Sequence, residues 1–419
     1  MSHMRLSYVI VTRNRMDALL KTLQQIHDAT PYDTNSWEVW IVDNASTDGT
    51  VDAIKQHFPE TNILRLERNE GVGARSRAFS KVRGVYTILL DDDSYPTGSA
   101  VSDSIDFMES NPDVGAVVGR VILPNGSFEA CAFPTVLLSG AVCIRTSVIR
   151  TLGSFRREFF RKAGEYDFSF RIWQAGWRIE RFEEIIYRHD KVTTGRSAAL
   201  AHRMDLRNNL IIAERFLPAS CRAMYRDDWD LRYTAIARAA GHARAAKLAR
   251  FEARLWRLRE HFKGREVLQD DVFERIFEFE TQERIIAEWA KSTGVREVII
   301  ADFSKNLYAT YRACKNAGLH IRAISDNNIA YEQLKYRGIP IVTDKIAATL
   351  SADGFVLSNI NPAYIDQRAT QIEATTGQTP LRLWSPNVLK KPDQCNAKSS
   401  DHDSELLAII GGESHESSE

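Results

Sequence analysis

The sequence lacks most features that mark disulfide-bonded, secreted or membrane-spanning proteins. Its 419 residues include only five cysteines, which are widely spaced and form no CxxC pair. This pattern argues against a disulfide framework and against a zinc site, and it favours a reducing compartment. The longest apolar run, near residues 136–144, is too short to cross a bilayer, and the N-terminus shows no signal-peptide core. We therefore expect a cytoplasmic protein.

Net charge is also absent, because 55 basic residues balance 55 acidic residues. The overall charge thus argues neither for nor against a nucleic acid partner, and charge has to be considered segment by segment. Hydrophobic residues make up 44% of the chain, which is ordinary for a globular protein. The length is sufficient for two or three domains.

The first part of the chain alternates between strand and helix patterns. Short β-branched runs are followed by segments with helical spacing, and this rhythm predicts an α/β fold with a mostly parallel sheet. Ligands of such sheets bind at the carboxyl ends of the strands. The predicted strands are residues 6–11, 37–42, 63–66 and 86–90, and the predicted helices are residues 16–26, 50–58 and 73–82.

The remaining chain divides into three further parts. Residues 200–290 lack strand patterns and are rich in Ala, Arg, Leu and Glu, which predicts several helices. From Arg296 the alternation resumes and predicts a second, smaller Rossmann-like α/β unit. After Pro392 the chain becomes polar and acidic, and we expect disorder there. The predicted parts are a first α/β domain at 5–218, a helical segment at 219–292, an accessory domain at 293–392 and a disordered tail at 393–419.

Three consecutive acids, Asp91, Asp92 and Asp93, follow an apolar strand. Adjacent carboxylates repel one another, and a bound cation relieves this cost. Mg²⁺ and Mn²⁺ prefer oxygen ligands and leave positions open for phosphate oxygens. Alternate residues of a strand face the same side, so Asp91 and Asp93 are candidates for one site. A solvated acidic turn explains the same residues, and the motif alone does not decide between the two.

Two other polar segments also follow predicted strands. Asp43 ends the second strand, where its carboxylate can accept a hydrogen bond from a nucleobase N–H. Gly71 and Gly73 lie between Asn69 and Arg75 at a predicted strand-to-helix junction. There the backbone can approach a phosphate closely, and a helix start favours anions. A glycine-rich turn is equally common without any ligand.

A carboxylate and an imidazole complete the candidate set. Glu165 opens a predicted amphipathic helix, where it is either a partner of the helix dipole or a general base beside a cleft. Asp167 follows two residues later. His189 comes after a strand-like segment and is either a structural residue or a metal ligand.

In this order, these segments resemble the family 2 glycosyltransferases of the GT-A fold, in particular members of bacterial polysaccharide and rhamnosyl type. The resemblance covers roughly residues 6–218, and six motifs in register are far more specific than one. Arg207-Asn208 is similar to a segment that follows the catalytic domain in many members. The matching motifs are SYVIVTRNR, VDNASTDGT, RNEGVGARSRAF, LLDDDS, GEYDFSFRIWQAGWRI and RHD.

The resemblance implies a role for each matching residue. Glu165 matches the catalytic base, and Asp167 matches a position that helps to place the acceptor. Many members carry an acid where this chain has Gly164, so the base assignment stays open between Glu165 and Asp167. The implied nucleotide contacts are Thr12, Arg13, Asp43, Asn69 and Arg75, with Asp92 on the sugar or ribose, and the implied metal ligands are Asp91, Asp93 and His189.

The implied reaction moves a sugar from a nucleoside diphosphate, UDP or dTDP, to a hydroxyl group of a saccharide, lipid-linked or small-molecule acceptor. A single displacement assisted by Mn²⁺ or Mg²⁺ would invert the anomeric configuration. One alternative is a sugar nucleotidyltransferase, but its glycine-rich loop is missing from residues 11–15. The other alternative is a non-catalytic sugar-nucleotide-binding scaffold, and the joint presence of the acids, Glu165 and His189 argues against it.

Two C-terminal features have no counterpart in that resemblance. Residues 300–306 stand where a Rossmann-like unit has its phosphate loop, but they contain no glycine. We therefore expect a unit for assembly or acceptor positioning rather than for cofactor binding. The basic segment at residues 232–265 has three interpretations: a solvated surface, an interface of a homo-oligomer, or a patch for the inner face of the membrane. We expect no nucleic acid partner.

Overall fold

A computed structural model of the chain describes residues 4–153, 155–192 and 197–389. It confirms the predicted fold class, with an α/β unit, a helical middle and a second sheet. The predicted disordered tail lies outside the described residues. The elements of the first unit are β1 (Leu6–Thr12), α1 (Met16–Ala29), β2 (Trp37–Asp43), α2 (Thr50–His57), β3 (Asn62–Arg65), β4 (Tyr86–Asp91), β5 (Ser94–Pro96), α3 (Ala100–Ser110), β6 (Val114–Ile122), β7 (Phe128–Glu129), β8 (Ala141–Arg145), α4 (Thr146–Leu152), α5 (Gly164–Gln174) and β9 (Arg178–His189).

Strands of the first unit form one sheet in the order β3-β2-β1-β4-β8-β6-β9-β5, with β7 beside β6. β1 is parallel to β2 and β4, whereas β8 is antiparallel to both β4 and β6. β1, β2 and β4 are almost wholly buried, as expected for strands covered on both faces. Their carboxyl ends meet at one edge of the sheet, where Thr12 pairs with Asp43 and Val11 pairs with Asp91.

The prediction of a helix over residues 73–82 is wrong, because only a 3₁₀ turn at Val72–Arg77 forms there. The chain before this turn is fixed by Gly71, which has a φ of 74°. A Cβ atom at Gly71 would lie 2.1 Å from the carbonyl oxygen of Phe160. The N–H of Val72 donates to the same oxygen at 3.0 Å. The glycine therefore serves a contact with a distant loop, which local spacing does not reveal.

The helical middle and the second α/β unit follow the first unit. The helices of the middle are α6 (Ala198–Phe216), α7 (Ala219–Ala239), α8 (Ala243–Lys263), α9 (Asp270–Phe277) and α10 (Phe279–Thr293). The second sheet has the order β12-β13-β11-β10-β14, and β10 is parallel to β11 and β14. The elements of the second unit are β10 (Glu297–Ala301), α11 (Leu307–Asn316), β11 (His320–Ser325), β12 (Lys335–Tyr336), β13 (Ile339–Val342), α12 (Asp344–Ala347), β14 (Gly354–Leu357) and α13 (Ile365–Thr376).

The loop between β10 and α11 joins the second unit to the helical middle. Its Lys305 carbonyl accepts a hydrogen bond from Trp229 Nε1 at 2.8 Å. The amide oxygen of Asn306 accepts one from the Tyr225 hydroxyl at 2.7 Å. The neighbouring Phe303 is fully buried in the apolar cluster that also contains Trp229 and Tyr225. The hydrogen bonds and the shared cluster fix this loop against α7.

None of the described helices combines the length and the hydropathy that a membrane span requires.

Candidate active site

Strand pairing brings His189 to the acids that follow β4. Asp91 is the last residue of β4, and the chain turns directly into β5. β5 pairs antiparallel with the end of β9, and Ser94 is the partner of His189 in that register. This pairing places the imidazole beside Asp93, although the two residues are far apart in the sequence.

Asp91, Asp93 and His189 form a cluster that fits a divalent cation. Each offers one ligand atom, and these atoms all lie within 4.8 Å of one another. Asp93 Oδ1 and His189 Nε2 are buried and have no hydrogen-bond partner, because their 3.1 Å contact lacks hydrogen-bond geometry. Buried polar atoms are rarely left unpaired. Two carboxylates and an imidazole suit Mn²⁺, and their convergence with unpaired atoms indicates a place for an ion.

A second layer of residues orients this cluster. Glu129 Oε2 lies 2.8 Å from His189 Nδ1, which leaves Nε2 directed at Asp93. Carboxylates in this position fix the orientation of metal-binding histidines. Burial lowers the pKa of His189, but the carboxylates of Asp93, Glu129 and Asp91 outweigh this effect and raise the pKa to about 10. The negative surroundings that hold a proton on the imidazole also attract a metal cation.

Arg15 and Thr12 hold the middle acid, Asp92. The Thr12 hydroxyl donates to Asp92 Oδ2 at 2.9 Å. Arg15 Nη1 lies 3.3 Å from Asp92 Oδ1 and 3.0 Å from Asp93 Oδ2. Burial and the adjacent acids raise the pKa of Asp92 to about 6, against the lowering effect of Arg15. Arg15 thus bridges two acids of the motif.

The residues predicted to contact the nucleotide fall into two groups. Thr12, Arg13, Asn69 and Asp92 line a cavity of about 840 Å³ at the edge of the sheet, as does the predicted metal ligand Asp91. Its size falls within the usual range for pockets that bind small molecules.

Asp43 and Arg75 lie behind the cavity wall. Asp43 is fully buried, and its carboxylate accepts a hydrogen bond from the Ser46 N–H at 3.2 Å. Arg75 is also buried, and its Nη2 donates to Asp91 Oδ1 at 2.7 Å. In this arrangement Arg75 positions an acid of the cluster rather than contacting the cavity itself.

Glu165 lines the same cavity from the start of α5. The Ser139 hydroxyl donates to Glu165 Oε1 at 2.9 Å. The carbonyl oxygen of Ser139 accepts a hydrogen bond from Arg75, which in turn binds Asp91. A short hydrogen-bonded path therefore connects Glu165 with the acid cluster.

Asp167 points away from the cavity and into the protein. Its side chain is fully buried and forms ion pairs with Arg156, Arg171 and Arg215 at 3.0–3.2 Å. Burial raises the pKa of Asp167, although the three arginines oppose the shift. Of the two predicted catalytic carboxylates, only Glu165 lines the cavity, and Asp167 holds α5 to its neighbours.

Lys305 reaches the wall of the same cavity from the second α/β unit. Its ammonium nitrogen lies 3.3 Å from the ring centroid of Tyr166 and 4.7 Å from that of Trp229, and it donates to the amide oxygen of Asn209. Burial lowers the pKa of Lys305 to about 7. The side chain is only 5% exposed, so this amine is part of the wall and not a surface charge.

Sequence reasoning missed Glu129, Arg15, Ser139 and Lys305. Arg15 is the last residue of the motif SYVIVTRNR and could have been found there, since it lies two residues after the predicted Arg13. The other three have no local signal, because their roles arise from contacts between distant segments.

Similarity to known proteins covers mainly the first unit. Residues 7–130 match the model of glycosyl transferase family 2. The chain is 30% identical over 107 residues to the putative teichuronic acid biosynthesis glycosyltransferase TuaG of Bacillus subtilis, which covers 24% of this chain and 41% of that protein. The chain is also 30% identical over 107 residues to UDP-Glc:alpha-D-GlcNAc-diphosphoundecaprenol beta-1,3-glucosyltransferase WfaP of Escherichia coli. This match covers 25% of this chain and 41% of that protein. The chain thus spans about two fifths of the length of these curated relatives.

Two solved structures match parts of this chain. S. aureus TarS 1-349 in complex with UDP-GlcNAc superposes with a TM-score of 0.47 at 16% identity, over 75% of this chain and 93% of that chain. The mannosyltransferase PcManGT from Pyrobaculum calidifontis in complex with GDP-Man and Mn²⁺ gives a TM-score of 0.43 at 18% identity, over 60% and 80% of the two chains.

Substitution of Asp167 tests its structural role. We expect Asp167→Asn to lower the free energy of unfolding by about 3 kcal/mol, because buried arginines lose their counter-charge. Urea unfolding measures this change. The matched control Asp227→Asn removes a carboxylate that is 64% exposed and paired with Arg226, and should cost less than about 0.5 kcal/mol. Unaltered stability of Asp167→Asn would contradict the assignment.

Proposed function

We propose that this chain, whose residues 7–130 belong to glycosyl transferase family 2, transfers a sugar from a nucleoside diphosphate to a hydroxyl acceptor with inversion at the anomeric carbon. The observation that carries the proposal is the convergence of Asp91, His189 and Glu165 on one cavity. The first two belong to a metal-binding set, and the third is a carboxylate available to accept a proton.

We assign the part of the cavity around the acid cluster to the sugar donor. Asp91, Asp93 and His189 would bind Mn²⁺ or Mg²⁺, which when present stabilises negative charge on the leaving diphosphate. Thr12, Arg13 and Asn69, which line the same end, would contact the nucleotide.

Glu165 performs the proton transfer in this proposal. The acceptor oxygen forms a bond to the anomeric carbon while the bond from that carbon to the diphosphate breaks, and Glu165 takes the acceptor proton. The Ser139 hydroxyl holds Oε1 of Glu165 and so orients the carboxylate. General-base assistance of this kind is worth about 10²–10⁴-fold in rate.

The names of two relatives are the basis on which we propose the chemical class of the donor and of the acceptor. The name of WfaP specifies a UDP-sugar donor and a diphosphoundecaprenol-linked acceptor, and TuaG is named for teichuronic acid biosynthesis. We propose a UDP-sugar as the donor and a glycan, free or lipid-linked, as the acceptor.

The second α/β unit completes the acceptor end of the cavity in this proposal. Lys305 lies with Tyr166 and Asn209 at the end of the cavity that also contains Glu165. A cavity of about 210 Å³ lies at the carboxyl ends of the second sheet, and it is too small for a dinucleotide. These observations support acceptor positioning and argue against a cofactor role for the unit.

Replacement of the proposed base tests the reaction. We expect Glu165→Gln to reduce kcat by about 10²–10⁴-fold with little change in donor KM, since the amide cannot accept the acceptor proton. Initial rates with a UDP-sugar measure this effect, and the thermal midpoint verifies folding. Glu184→Gln changes an exposed carboxylate elsewhere and should retain full activity. A fully active Glu165→Gln enzyme would exclude the proposed base.

Replacement of Glu129 tests the metal site without an activity assay. We expect Glu129→Gln to weaken Mn²⁺ binding about 10–100-fold, because the imidazole of His189 loses the carboxylate that orients it. The electron paramagnetic resonance signal of free Mn²⁺, titrated with protein in the presence of UDP, reports the affinity. Glu184→Gln again serves as the control. If wild-type protein binds no Mn²⁺, the metal has no place in the mechanism.

Replacement of Lys305 tests the acceptor end. We expect Lys305→Met, which preserves the apolar stem, to raise acceptor KM at least about tenfold and to leave donor KM unchanged. Because the pKa of Lys305 is about 7, the amine loses its proton between about pH 6 and 8. Acceptor KM in the wild type should therefore rise over this range, and this rise should be absent from the variant. The exposed Lys345→Met is the control. Equal effects on donor and acceptor KM would refute a specific acceptor role.

A further inference from the structure

The outer face of α8 carries a continuous apolar stripe. Its members are 43–84% exposed and recur at alternating intervals of three and four residues, which keeps them on one side of the helix. An exposed stripe of this length is unusual, because soluble proteins bury such faces. The members of this stripe are Leu248, Phe251, Leu255, Leu258 and Phe262.

The inner face of α8 is fully occupied by the protein. Ala246, Ala249 and Ala253 pack with residues of α6 and α7. Glu260 forms an ion pair with Arg215 of α6 at 2.9 Å, and Glu252 pairs with Arg203 of the same helix. The helix is therefore anchored with its apolar stripe outward, and the exposure does not result from a loosely placed helix.

The exposed charges that flank the stripe are all positive, and Glu252 on one edge is partly buried in its ion pair with Arg203 of α6. At 100° per residue, Lys247, Arg254 and Arg257 lie along one edge and Arg259 and Lys263 along the other. No exposed residue within this fully described helix is acidic, because Glu252 and Glu260 face α6. The surface of α8 thus combines a row of apolar side chains with two rows of cations.

The combination of apolar and cationic side chains on α8 distinguishes between the kinds of molecule that could cover it. A second copy of the chain would cover the stripe but would bring two sets of cations together without compensating acids. A nucleic acid would neutralise the cations but leave five large apolar side chains in water. An anionic lipid surface both buries the apolar stripe and neutralises the cations. The apolar side chains enter the acyl boundary, and the cations remain among the headgroups.

We propose that α8 is a docking surface that holds this protein on anionic membranes through the apolar stripe and its flanking arginines and lysines. α8 packs on α6, the helix that supplies Asp205 and Asn209 to the cavity. Docking would therefore hold the cavity near the lipid headgroups, about one helix layer away. The docking surface does not depend on the proposed reaction, and either can fail without the other.

Vesicle binding by the full chain tests the proposal. We expect co-sedimentation with vesicles of equal parts phosphatidylglycerol and phosphatidylcholine, weakened by salt, and little binding to phosphatidylcholine alone. Leu255→Ser with Phe262→Ser should weaken binding at least about tenfold by removing buried apolar area, and Arg254→Glu with Arg257→Glu should do the same by reversing charge. The matched control, Ile329→Ser with Ile346→Ser, alters side chains that are 78% and 51% exposed in the second unit and should bind as the wild type does.

Other outcomes would overturn the docking surface. Equal binding to both kinds of vesicle, or binding that the α8 variants leave unchanged, would exclude it. Light scattering after size-exclusion chromatography identifies the competing occupant: a dimer that dissociates in Leu255→Ser with Phe262→Ser, without vesicle binding by the wild type, would assign the stripe to a second copy. Transfer to a water-soluble acceptor should be unchanged in these variants, so a failure of the proposed reaction remains distinguishable.

Discussion

Repulsion among the three carboxylates that follow β4 is the constraint around which the candidate site is built. Their charges lie at the buried end of a strand, where solvent screens them poorly. The protein compensates each with a cation from a different segment: Arg75 from the 3₁₀ turn, Arg15 from the loop after β1, and His189 from the end of β9. The compensation is incomplete, because buried atoms of Asp93 and His189 still lack hydrogen-bond partners. A divalent cation bound here, as proposed, would supply the remaining positive charge.

The two carboxylates at the start of α5 point in different directions, one toward the cavity and one into the protein. Glu165 and Asp167 are two residues apart, so their side chains leave the helix about 200° from one another. One therefore faces the cavity and the other faces the interior, where Arg171 and Arg215 enclose it. Arg215 also pairs with Glu260 of α8, so the ion pairs tie α5, α6 and α8 into one layer. A helix fixed in this way holds the carboxylate of Glu165 in place relative to the acid cluster.

Much of the fold was predictable because its signals are local. The strands predicted at residues 6–11, 37–42 and 86–90 each fall one residue short of the observed strands, since apolar β-branched runs ended by polar residues are explicit in the sequence. The acids after β4 were equally evident. Helical rotation would also have separated Asp167 from Glu165. Glu129 was beyond reach, because its contact with His189 depends on β7 and β9 both pairing with the end of β6.

The loop after β10 of the second α/β unit lacks the features of a phosphate-binding loop and contacts the helical middle instead. A phosphate-binding loop needs glycine and free backbone N–H groups. Here the Phe303 N–H donates to Asp326, the acid after β11, which is thereby engaged within the unit. The Lys305 carbonyl and the Asn306 side chain are bonded to α7 and its neighbours. The other polar groups of the loop bond within the second unit or to the helical middle, whereas the Lys305 side chain reaches the cavity at the edge of the first sheet.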